Sequence, residues 1–203
     1  MYVRLTGIPR FDWIRMNSYA PVLEIGCADG AVFRGWEYEN QVTRCDMDLY
    51  DFPNFVRCDA HNLPFKDKEF ESAVLAEILE HVRDPKTVLK EAMRVSRKRV
   101  VITTPIEGEW DQYALPHMSI EESVIQKYGS IEAYYNEQKK LYPNLIEKFD
   151  DRIGPHSFHI REWTMGDFEA FLHDVCSDSG WTYSIEKRVI KPFVFIFAIL
   201  SYS

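Results

Sequence analysis

Across its first hundred residues the chain places apolar side chains in short bursts, each closed by a glycine, an acidic residue or a proline. "APVLEIG" (20–26), "QVTRCD" (41–46), "NFVRCD" (54–59), "ESAVLAE" (71–77) and "RVVITTP" (99–105) are of strand length. Between them, the spacing of apolar positions predicts a short helix over "GAVFRGWE" (30–37) and a clear one over "DPKTVLKEAMRVSR" (84–97). In the second helix Asp84 is a suitable N-cap and Pro85 fills the first helical position. Val88, Leu89, Ala92, Met93 and Val95 form its apolar face. Strands alternating with helices imply an α/β fold, a mostly parallel sheet with helices on its faces.

The rhythm breaks between about 106 and 160. "SIEESVIQKYG" (119–129) opens with a capping box and closes at a glycine, and "SIEAYYNEQKKLYPNLIEKF" (130–149) is a polar helical stretch interrupted near Pro143. Thr164 then caps a late helix with Asp167 three residues on, and Phe168, Phe171, Leu172 and Val175 form its stripe. "WTYSIEKRVI" (181–190) and "FVFIFAILSY" (193–202) read as an antiparallel pair of strands, with Pro192 between them. With no internal repeat and no low-complexity linker, residues 1–203 read as one domain carrying a helical insertion.

Composition narrows the class. Hydrophobic residues make up 46% of the chain, enough for a sizeable core, yet no run approaches the ~20 apolar residues of a membrane helix. The N-terminal segment has no apolar core of the secretory type. Cys27, Cys45, Cys58 and Cys176 show neither CxxC nor metal-ligand spacing and fit a reducing compartment, so a cytoplasmic protein is expected. The 32 acidic residues outnumber the 24 basic ones, which argues against nonspecific nucleic-acid affinity. The one basic cluster, "RVSRKRV" (94–100), falls where a helix ends, and contact with the helix C-terminus explains it.

The most informative stretch is "VLEIGCADG" (22–30), in which Glu24 interrupts a buried strand and small residues follow at alternate positions. A strand running into a glycine-rich turn lets backbone approach a ligand without Cβ clashes. A dinucleotide fingerprint, G-x-G-x-x-G, is not met, because Ala28 and Ala31 stand in its later slots. "LEIGCADG" instead resembles the E/D-x-G-x-G-x-G turn of class I S-adenosylmethionine-dependent methyltransferases, with Ala28 in the middle glycine slot. "RCDAHNLPF" (57–65) and "FESAVLAEILEHVRDP" (70–85) are similar to segments of the methyltransferase type 11 group, so the likeness runs from about residue 20 to 105.

That resemblance implies a Rossmann-like, seven-stranded, mostly parallel sheet with the helical insertion after its fifth strand, and S-adenosyl-L-methionine as cofactor. It places the cofactor among Glu24, Gly26, Cys27, Ala28, Gly30, Asp46, Met47, Asp59, Ala60 and Glu77. Glu24 would face the ammonium of the methionine part, Asp46 the ribose hydroxyls (Asp48 being the alternative), and Asp59 the adenine amino group. The segment between Asp46 and the third strand is short, so the usual intervening helix is missing or reduced to a turn.

The insertion would act as a lid over the methyl donor. Its end, "GPHSFHIREWT" (154–164), resembles the H-x-x-R-E-[FWY]-[ST] segment of methyltransferases encoded near glycan genes, and a structural anchor is the competing reading. Methylation of a hydroxyl needs a proton removed, so His159, or else His156, is the candidate general base. The alternation of Phe158 and Ile160 about His159 favours His159. No resident metal is expected. The expected partner is a small-molecule or glycan acceptor, neither membrane nor nucleic acid. Methylation of RNA, protein or another metabolite, and a noncatalytic cofactor-binding subunit, are the alternatives.

Overall fold

The computed structural model describes residues 9–82, 84–106, 133, 163–190 and 193–202. Five strands, β1 (Val22–Ile25), β2 (Val42–Asp46), β3 (Phe55–Arg57), β4 (Phe70–Ala76) and β5 (Ser96–Pro105), run parallel to one another. Two more, β6 (Trp181–Ile190) and β7 (Phe193–Tyr202), form an antiparallel pair, and β7 joins the sheet against β5. The order is β3-β2-β1-β4-β5-β7-β6, seven strands with the reversal of chain order at β1 and β4. Ligands of such sheets gather outside the carboxyl ends of the strands at that reversal.

Alternation along the strands sends their side chains into two cores. Leu23, Ile25, Ala73, Leu75, Val100 and Ile102 face one side, beneath α2 (Pro85–Val95) and α3 (Met165–Cys176). Val22, Val42, Val74, Val101 and Phe197 face the other, beneath Trp13 and Ile14 of α1 (Pro9–Asn17) and the segment containing Val32, Phe33 and Trp36. Both expected caps form. Asp84 Oδ1 accepts from the Thr87 amide at 3.0 Å, and Thr164 Oγ1 accepts from the Asp167 amide at 3.1 Å.

One expectation needs correction, and one element was not foreseen. Residues 31–35 are turns rather than the helix read over 30–37. Gly30 and Gly35 take φ of +66° and +72°, and buried Arg15 donates to the carbonyls of Val32 and Arg34, carbonyls that a continuing helix would use itself. A helix was not anticipated at α1, and one forms. The basic cluster begins at the expected helix end, with Arg94 in the last turn of α2, and runs on into strand: α2 stops at Val95 and Ser96 begins β5 at once. There Arg97 and Lys98 pair with Glu71, while Arg94 donates to the carbonyls of Leu63 and Phe65. The short path from β2 to β3 contains no helix. Apart from Ile106 and Ala133, the 106–160 insertion, with His156 and His159, lies outside the described residues.

Candidate functional site

At the carboxyl ends of β1, β2 and β4 lies a cavity of about 230 Å³. Six of the residues expected to meet the cofactor form part of its wall: Gly26, Ala28, Asp46, Met47, Ala60 and Glu77. Glu24, Cys27, Gly30 and Asp59 do not belong to the wall. His81, which the type 11 resemblance over residues 70–85 includes, does, and so do His61 and Ile78, which the sequence reading did not single out. Their signal is positional, since each follows a strand end within a few residues.

The turn after β1 is built from backbone that side chains rarely tolerate. Gly26 has φ of +69°, and a Cβ there would come within 2.5 Å of Ile78 Cδ1. Absence of that atom lets the turn after β4 close against the turn after β1. Ala28 follows at φ +43°, a left-handed conformation held by a residue that has a Cβ. Two backbone amides, of Gly26 and Cys27, donate to the Cys45 carbonyl at 2.9 and 3.2 Å and fix the turn to β2.

Asp46 ends β2 and is held by the same turn. Its Oδ2 accepts the Ala28 amide at 3.0 Å and its Oδ1 accepts the Asp48 amide at 3.0 Å. A carboxylate offers about four lone-pair sites, so each oxygen keeps capacity for a further donor. A vicinal diol is a ligand group that would use both.

Glu24 has a partner within the chain. Its carboxyl is buried and accepts from Arg44 Nε at 3.2 Å, across the β1–β2 pair in which the two residues are opposite each other. Arg44 also reaches Glu39 Oε1 at 2.9 Å, and Glu39 Oε2 takes the Gly35 amide. Burial pushes the Glu24 carboxyl up to about 8, against the pull of Arg44. Burial likewise raises the Cys27 thiol, while a hydrogen bond with Cys58 is the largest influence raising Cys45.

On the β4 side of the cavity, Glu77 takes φ of +56° and pairs with Arg10 at 3.0 Å. Burial raises its carboxyl, with Arg10 opposing. Glu80, fully buried behind it, accepts from Thr104 Oγ1 at 3.1 Å and is raised well above the usual range, by burial and then by the charge of Glu77. On the opposite side Asp59 Oδ1 meets both the His61 amide at 2.9 Å and His61 Nδ1 at 2.7 Å, closing the loop after β3. Among the described residues no group of three His, Cys, Asp or Glu side chains could hold a metal ion, and no helix is long and apolar enough to cross a membrane.

These features fit an adenosyl ligand with an amino-acid tail: a glycine cradle, a pinned carboxylate for a diol, and a further carboxyl on the facing wall. The methyltransferase domain family, type 11, matches residues 23–103, which include every one of those features. The chain is 26% identical over 134 residues to the demethylmenaquinone methyltransferase of Paenarthrobacter aurescens (strain TC1). That alignment takes in 64% of this chain and 45% of the relative, so less than half of the relative's length is spanned.

Solved structures share the fold, two methyltransferases among them. Magnesium protoporphyrin IX methyltransferase of Synechocystis PCC 6803, solved with bound SAH, superposes with a TM-score of 0.53 at 12% identity, covering 96% of this chain and 83% of that one. A possible histamine N-methyltransferase of Thermotoga maritima gives 0.53 at 14% identity, covering 96% and 94%. The family match thus falls on the strands and turns that build the cavity, and residues 23–103 carry the methyltransferase domain of type 11.

Proposed function

We propose that the chain methylates an oxygen of a small hydroxylated or glycan-type acceptor. When bound, the cofactor supplies a methyl group already activated on a sulfonium, so the protein's contribution is alignment, exclusion of water and acceptance of a proton. Gly26 and Ala28 would cradle the cofactor from β1, Asp46 would take the ribose hydroxyls, and Met47 and Ala60 would border the adenine. Glu77 would lie toward the amino-acid end.

The observation that supports an oxygen acceptor is the chemistry of the wall on the β4 side. Beside Glu77 it presents His81, an ionisable group suited to polar, hydroxyl-bearing molecules. His159 is proposed as the group that removes the hydroxyl proton, with His156 as the alternative; both belong to the sequence segment that resembles glycan-associated methyltransferases. Incubation with methyl-labelled cofactor and a panel of hydroxylated glycans, small phenols and sugars should place label on oxygen. Label appearing only on RNA, protein or a carbon atom would reject the acceptor class. No transfer to any of these from a protein that binds cofactor would favour a noncatalytic subunit. His159→Ala should lower turnover by roughly 10²–10⁴-fold with cofactor affinity unchanged. Equal loss of both would assign His159 to anchoring the loop.

A further inference from the structure

Glu24 is the acidic residue that the family resemblance assigns to the cofactor's ammonium, yet its carboxyl is enclosed by protein and turned to Arg44. Arg44 is itself 3% exposed and has neighbours in four segments of the chain. It donates to Glu24 on β1 and to Glu39, which holds the Gly35 amide. Its guanidinium lies over the Phe52 ring at 5.4 Å, in the loop between β2 and β3. A Cβ on Gly30 would come within 3.1 Å of both Arg44 Nε and Phe52 Cζ, so the end of the glycine turn is seated directly on this pair. Two residues along β2 from Arg44 is Asp46, which holds the Ala28 amide.

We infer that Arg44 is the positioning residue of the cofactor site and that Glu24 acts through it, as Arg44's anchor, instead of contacting the ligand. One planar guanidinium can do this because its fixed fork holds two acceptors and a ring face at once. A lysine would carry the charge without the geometry. What Arg44 positions is the turn from Ala28 to Gly30 and the carboxylate of Asp46, which serve the adenosyl half of the ligand. The inference rests on the cofactor site described above.

The test compares two ligands that share the adenosyl half, S-adenosylhomocysteine and 5′-methylthioadenosine, the second having no amino-acid group. Affinities are measured by calorimetry at temperatures where each variant is folded. Arg44→Met should weaken both ligands by the same factor, roughly tenfold. Arg44→Lys should give a smaller loss, again equal for both, and it stands in if Arg44→Met does not fold. Glu24→Gln keeps an oxygen to accept from Arg44 Nε, so it should alter both ligands alike and by less than Arg44→Met. A Glu24→Gln protein that loses S-adenosylhomocysteine but holds methylthioadenosine normally would overturn the inference and return Glu24 to the ammonium. So would an Arg44→Met protein with both affinities intact. If the wild-type chain binds neither ligand, the cofactor site falls together with the inference, an outcome distinct from either of these.

Discussion

The Ala28 amide donates to Asp46 Oδ2 at 3.0 Å, and this bond joins the turn after β1 to the end of β2 at the mouth of the cavity. It means that the carboxylate expected to take the ribose is already oriented before any ligand arrives. Its second oxygen is fixed in the same way by the Asp48 amide. Pre-orientation of this kind lowers the ordering cost of binding.

Asp46→Ala removes both the ligand's acceptor and the tie to Ala28. Cofactor affinity should fall by at least about 1.5–3 kcal/mol, the range for hydrogen bonds involving a charged group. Asp48→Ala should cost much less, because the structure places Asp46 and not Asp48 in the cavity wall. Calorimetric titration of both variants checks this, and equal losses would contradict the ranking.

Ala28 departs from the family pattern by one methyl group, and the expense of that departure is conformational rather than steric. At φ +43° an L-residue with a Cβ sits in the left-handed region. The strain costs about 1–2 kcal/mol, while glycine would return about 0.5–1 kcal/mol as extra unfolded-state entropy. Ala28→Gly should therefore raise stability by about 0.5–1 kcal/mol. Gly26→Ala should do the reverse, and more severely, since φ of +69° is joined by the contact with Ile78. Thermal melts of both variants read the effect. A destabilised Ala28→Gly protein would show that the turn's conformation is not what limits it.

How far the sequence alone reaches depends on the range of the forces involved. The caps at Asp84 and Thr164 were legible because donor and acceptor lie three residues apart. The strands and their α/β alternation were legible for a similar reason, as each is a local run. Gly26, Ala28, Asp46, Met47, Ala60 and Glu77 were grouped by the family resemblance of separate segments, and the fold brings them to one cavity wall. Helix α1 was not, because its buried side chains Trp13, Ile14 and Arg15 are consecutive and make no stripe. Arg15 is buried only because carbonyls 17 and 19 residues away accept from it. The helix read over 30–37 failed through those same distant bonds. The partner of Glu24, at 20 residues' remove, required knowing which β2 residue lies opposite it.

Stability should depend on pH through Glu24. Its carboxyl ordinarily titrates at 4.5 and is pushed up to about 8 by burial. Between those values the native state keeps a proton that the unfolded chain has released, so the unfolded chain binds fewer protons and stability falls as pH rises. The contribution is whole below the unfolded value and lost as pH passes through the folded one. Glu77 and Glu80, both raised by burial, act with the same sign. The melting temperature should thus decline from about pH 5 to about pH 8, and Glu24→Gln should flatten, without abolishing, that slope. A slope unchanged in Glu24→Gln would show that Glu24 is ionised throughout, as an ordinary partner of Arg44.

The carboxyl of Glu77 can be tested free of its effect on folding because of the backbone it occupies. A non-glycine residue at φ +56° is strained by about 1–3 kcal/mol, and such outliers cluster at functional sites. Glu77→Gly removes the carboxyl and relieves the strain together, leaving Arg10 at a partly exposed position to find water. If Glu77 serves the amino-acid end of the cofactor, Glu77→Gly should bind S-adenosylhomocysteine more weakly by about 1.5–3 kcal/mol. The same protein should hold 5′-methylthioadenosine as tightly as before and melt no lower than the wild type. A protein that melts lower and loses both ligands equally would make Glu77 a structural partner of Arg10. Loss confined to S-adenosylhomocysteine, without loss of stability, leaves ligand contact as the reason that a glutamate occupies a position glycine would fill at less cost.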